Sequence, residues 1–162
     1  MTRRDGVRLL VPVYGRLEPI PHDLAHYLVE SELGLQDGFW ASVATGVIFS
    51  GMRIVGGRQR PHAKERSREV LAANRRGILF AELMVDALLR TALGERLGDA
   101  LLPIDSALVR TLGERDALVA RLRPALDVLC AQWGEIPFGG TLRVVWPDRS
   151  IRGQHAKRHT GR

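Results

Sequence analysis

The chain has 162 residues, of which 45% are hydrophobic and 26% charged, and it carries a net charge of +6 at pH 7. That composition belongs to a globular domain with enough apolar material for a core. One cysteine, Cys130, excludes an internal disulfide framework and a cysteine-rich zinc site, and the longest apolar run, residues 39–49, is too short to cross a bilayer as a helix.

Residues 7–14, "VRLLVPVY", read as a strand rich in apolar and β-branched side chains, with Pro12 marking an edge or an interruption. A helix is expected over residues 21–33, with Pro21 at its first position and Gly34 as its stop. "GFWASVATG" fits either a short helix or a buried extended segment, and residues 47–55 suggest a hairpin turning at Ser50-Gly51. The longest helical pattern covers residues 61–93, with a bend expected near Gly77. A second helical region runs over residues 105–133, where Pro124 is expected to kink or divide it, and "TLRVVW" at 141–146 reads as a strand. These elements predict an α+β fold: three or four helices packed on a small, mainly antiparallel sheet that includes both terminal strands. Residues 1–148 form the expected single domain, and residues 149–162 a basic, disordered tail.

The helix "PHDLAHYLVE", residues 21–30, carries the densest chemistry. At about 100° per residue, His22 and His26 stand at the border of an apolar face made by Leu24, Ala25, Leu28, Val29 and Leu33. Asp23 and Glu30 lie beside them on the polar side. Histidines at i and i+4 can face one cation, and Glu30 stands one turn further along the stripe. The positive end of the helix dipole favours neutral His22, the form that binds metal. The candidate ligands are therefore His22, His26 and Glu30, with zinc the expected divalent metal. The competing reading is structural, each ring donating to a carbonyl or to one of the two carboxylates.

"HDLAH" resembles the HExxH helix of zincin metalloproteases, with Asp23 where that motif has its general-base glutamate. The resemblance implies a metal-binding helix with hydrolase-like chemistry and a catalytic role for Asp23. Aspartate is one methylene shorter than glutamate, so its reach to a metal-bound water differs. More widely, "PHDLAHYLVESELGL" followed by "GFW" resembles a group of short, uncharacterised bacterial proteins with a PHDLxHxxVE-like helix, which carries no activity over.

Elsewhere, Glu82 and Asp86 stand four apart in "ILFAELMVDALLR". Carboxylates there can supply ligands opposite the histidines, or form a solvated stripe with Arg75 and Arg90. The basic charge is concentrated in residues 53–76 and 149–162. These segments point to an anionic partner, with nucleic acid bound weakly and without sequence preference, or to a solvated surface in an arginine-rich protein. Gly56-Gly57 ahead of a helix start can cradle a phosphate. His62 reads equally as a neighbour of that helix start or as a functional group, and Cys130 as a buried small residue. No membrane partner is expected. The basic N-terminal stretch lacks a signal-peptide pattern, and a cytoplasmic home is expected.

Overall fold

The computed structural model describes residues 1–11, 19–94, 115–137, 139–140 and 142–146. Along the chain they form β1 (Arg8–Leu10), α1 (His22–Leu33), α2 (Phe39–Thr45), β2 (Arg53–Gly56), α3 (Ala63–Ala73), α4 (Arg75–Ala92) and α5 (Arg115–Gly134). The fold is α+β, with five helices among the described residues against the three or four expected.

α1 begins where proline permits and stops where glycine does. Pro21 precedes it in an extended conformation, and its carbonyl accepts the N–H groups of Leu24 and Ala25. Gly34 closes it at φ 70°, a left-handed conformation that costs glycine little. The apolar face of α1 packs against α4 and α5. Leu28 and Val29 meet Met84, Val85 and Leu88 of α4 and Leu122 and Leu126 of α5 in the larger core. Pro124 lies within α5 and does not divide it.

A smaller core gathers Val7 and Leu9 of the N-terminal segment with Val43 and Met52, flanked by Phe39, Trp40 and Phe49. Here β1 and β2 pair antiparallel, Leu9 opposite Ile54 and Leu10 opposite Arg53, with a register shift between Arg8 and Leu9. Gly57 follows at φ 79°, and a Cβ there would stand 2.5 Å from the Gly6 carbonyl oxygen and 2.8 Å from Val7 Cα. Gly57 therefore serves a close backbone crossing, while a Cβ at Gly56 would meet the Arg8 guanidinium.

Three expectations are corrected. The turn at Ser50-Gly51 forms, with Gly51 at φ 85°, but its two arms do not pair, because β2 is taken by β1. Residues 142–146 form no strand. β1 is already flanked by β2 and by a bridge between Thr2 and Arg8, so this segment docks on helices instead. Leu142 joins the larger core, Val145 accepts the Tyr27 hydroxyl at 3.0 Å, and Trp146 meets the Tyr27 ring edge-on. The break in the 61–93 helix falls at Asn74, not at Gly77. Asn74 closes α3 and opens α4, and its side chain donates to Ser42 Oγ at 3.0 Å. Gly77 is instead buried inside α4, where the Asp37 carboxylate comes too close to leave room for a side chain. The expected helix over residues 105–114 and the tail at 149–162 lie outside the described residues. Among the described residues no helix is long and apolar enough to cross a membrane.

Candidate metal centre

His22 occupies the first position of α1 and His26 the next turn, so their rings meet with centroids 4.9 Å apart. The two differ sharply in environment. The His22 side chain is 49% exposed and that of His26 only 2%. Packing of α4 against α1 brings Glu82 between them, from 60 residues downstream. Its Oε2 lies 3.3 Å from His22 Nε2 and 3.3 Å from His26 Nε2. One ligand atom from each of the three residues stands within 4.8 Å of the others. Tetrahedral ligands about 2.0–2.1 Å from a zinc ion stand about 3.3–3.5 Å from one another. Two edges of the triangle therefore already have that length.

Glu30 does not join this group. It is fully buried, and its carboxylate is consumed by the start of α2. Oε1 accepts the Phe39 N–H at 2.8 Å, while Oε2 accepts the Trp40 N–H at 2.9 Å and the Ala41 N–H at 3.4 Å. Gly38 makes this possible, because a Cβ there would collide with the Glu30 carboxylate. The expected ligand Glu30 is thus replaced by Glu82, and Glu30 becomes a support. His26 Nδ1 lies 3.3 Å from Glu30 Oε1. A carboxylate only accepts, so Nδ1 donates and the ring is fixed with Nε2 towards Glu82.

That nitrogen is the feature that the rest of the fold leaves unexplained. His26 Nε2 is buried without a hydrogen-bond partner, since its 3.3 Å approach to Glu82 has ion-pair length but not hydrogen-bond geometry. If the ring is neutral, a nitrogen lone pair faces a carboxylate oxygen, which is repulsive unless a cation stands between them. A proton can be that cation. Burial lowers the His26 pKa, but Glu30 and Glu82 outweigh it and raise it from 6.5 to about 9. The His22 ring, followed by His26, holds the Glu82 carboxyl well below the usual carboxylate range. A divalent metal can fill the same place.

No protein-family profile, curated protein or solved structure matches this chain. The geometry therefore carries the functional argument.

Asp23 is half-buried beside the cluster, and its backbone carbonyl accepts the Trp40 indole N–H at 2.8 Å. Burial pushes the Asp23 carboxyl up and the charge of Glu82 adds to this, while His22 and His26 pull the other way. It is not among the three residues whose ligand atoms converge. Asp86 pairs with Arg90 at 3.0 Å, as the solvated-stripe reading expects. His62 is exposed at φ 57°, immediately before α3. Burial, with Asp127 adding, pushes the Cys130 thiol up, which makes it a poor nucleophile. The sequence offered Glu82 as a secondary candidate, and only the crossing of α1 with α4 raises it to the third corner.

Proposed function

We propose that this chain is a divalent-metal-binding protein, zinc being the best match, with hydrolase-like chemistry. His22, His26 and Glu82 hold the ion, and Asp23 serves as the neighbouring acid–base group. The observation that carries the reading is His26 Nε2: buried, oriented by Glu30 through the far side of the ring, and facing Glu82 without a hydrogen bond. Two imidazoles and a glutamate are a donor set that catalytic zinc takes, with a fourth position for water. Zinc held by these residues would lower the pKa of a bound water to about 7. Asp23, its carboxyl raised by burial, would be the neighbouring group that takes up or gives back a proton. The resemblance of "HDLAH" to the zincin helix supports the same reading, and the single cysteine suits the reducing cytoplasm.

The test is metal content by calorimetry and elemental analysis. A full-length chain with His155 and His159 replaced by alanine, which removes ligands in the tail, is expected to bind one zinc ion. His22→Ala is expected to abolish binding. Stoichiometric zinc in the His22→Ala/His26→Ala chain refutes the site.

A second reading rests on α3, which buries no residue. Lys64, Arg66 and Arg68 are exposed on it, and Arg53, Arg58, Arg60, Arg75 and Arg76 are exposed in the segments that flank it in sequence. We propose that this face contacts an anionic partner, with duplex DNA as a weak and non-specific example. Log affinity then falls with log salt at a slope of about −0.9 per phosphate contact. Absence of DNA binding at about 50 mM salt, where charges are least screened, removes this reading.

A further inference from the structure

We propose that the cleft beside His22 receives the apolar group of a small ligand whose oxygen donor reaches the metal. This rests on the metal-site reading above and names the class of molecule that the site takes. The cleft has a volume of about 200 Å³ and is lined by Pro19, His22, Asp86, Leu89, Arg90 and Leu93. His22 belongs both to this wall and to the cluster with His26 and Glu82, so whatever fills the cleft adjoins the cation.

The alignment follows from helix geometry. Glu82, Asp86 and Leu89 of α4 and Leu93, which caps it, recur along one stripe at spacings of three and four residues. At about 1.5 Å rise per residue, the cleft extends from roughly 6 to 16 Å beyond Glu82 along the helix. Pro19, Leu89 and Leu93 are its apolar lining, with Leu93 57% exposed to solvent. Asp86 and Arg90 sit at the rim and pair with each other at 3.0 Å, so their charges cancel and the cleft selects no net charge. A cavity of about 150 Å³ holds a benzene ring, so this one accepts a phenyl or branched aliphatic group. The selected molecule is small and amphipathic: a carbonyl or oxyanion for the ion, next to an apolar group of ring size for the cleft.

Acetohydroxamate and benzohydroxamate test this, because both offer the same chelating oxygens and differ in the apolar group. Calorimetry on the zinc-loaded full chain is expected to show benzohydroxamate binding at least about ten-fold tighter, since the phenyl ring leaves water. Leu93→Trp changes a largely exposed residue and fills the cleft. It is expected to keep the zinc stoichiometry and to bring the two affinities within about three-fold of each other, the preference for the ring being lost with its apolar contact. If zinc binds but the two hydroxamates are equal in the wild type, or the preference survives in Leu93→Trp, the cleft proposal falls and the metal site stands. If zinc does not bind at all, both fall.

Discussion

Replacing Glu30 by glutamine tests whether this carboxylate anchors the start of α2. The substitution keeps the side-chain volume and removes the charge. The carboxylate accepts two short backbone N–H bonds, from Phe39 at 2.8 Å and Trp40 at 2.9 Å, a long one from Ala41 at 3.4 Å, and the His26 ring at 3.3 Å. The amide of glutamine has one carbonyl oxygen, so it keeps one of the short bonds, now to a neutral acceptor, and turns an NH₂ group towards the other donor. A hydrogen bond to a charged group contributes about 1.5–3 kcal/mol, and a buried donor left unpaired costs about 1–3 kcal/mol. The relief of not burying a charge offsets part of this. The expected loss is on the order of 3 kcal/mol, measured as a shift in the urea midpoint at constant slope. Gly38→Ala strikes the same carboxylate from the other side, because its Cβ would occupy the place of Glu30. The two changes together are expected to cost less than the sum of their separate effects. A loss below about 1 kcal/mol for Glu30→Gln, or strict additivity with Gly38→Ala, refutes this account of how α2 is anchored.

Glu82→Ala is expected to behave oppositely. Its side chain is 48% exposed and well screened, so at neutral pH the metal-free protein is expected to lose only the share of His26 pairing that Glu82 supplies, about 1–2 kcal/mol in urea. Zinc affinity drops by more than about 100-fold, since loss of a mere supporting group already costs about 10–100-fold. Protonated His26 stabilises the metal-free fold. With its pKa raised from 6.5 to about 9, this contribution is complete below 6.5 and is lost as pH climbs to about 9. The urea stability of the metal-free chain is expected to fall across that window by up to roughly 3 kcal/mol, while zinc affinity rises because the ion must displace the proton. A flat stability profile, or zinc affinity that falls with pH, contradicts the pairing. Gly57→Ala places a side chain against the Gly6 carbonyl at a positive φ, and is expected to lower stability by at least about 1–3 kcal/mol in a thermal melt.

How much of this was legible in the sequence depends on how local each signal is. The bounds of α1 were readable because Pro21 and Gly34 act on their own backbone and their nearest neighbours. The histidine pair was readable for the same reason, since i and i+4 on a helix are neighbours whatever else the chain does. The role of Glu30 was not readable from its stripe. Its oxygens are claimed by backbone groups of residues 39–41, and that meeting depends on where α2 folds back. Glu82 needed the packing of α4 on α1, and its exposed charge next to Asp86 gave the sequence an equally good surface explanation. The helix break went to Asn74 rather than Gly77 because a tertiary partner, Ser42, waits for the asparagine amide. Gly77 reflects an approaching carboxylate and not a bend. The strand pairing was misjudged because alternation marks residues that fit a sheet, without saying which strand reaches them first.

The junction at Asn74 also sets how far a local opening can travel. α3 buries no residue, whereas α4 buries six. Little therefore opposes the unwinding of α3, and its amides are expected to exchange with solvent through small fluctuations. The fraying ends at Asn74, whose side chain is tied to Ser42, itself fully buried in α2. Beyond that point the Asn74 carbonyl holds the Ile78 N–H at 2.9 Å, and α4 opens only with the larger core. The basic helix can thus melt and reform while Glu82, two turns past the junction, keeps its place between the histidines.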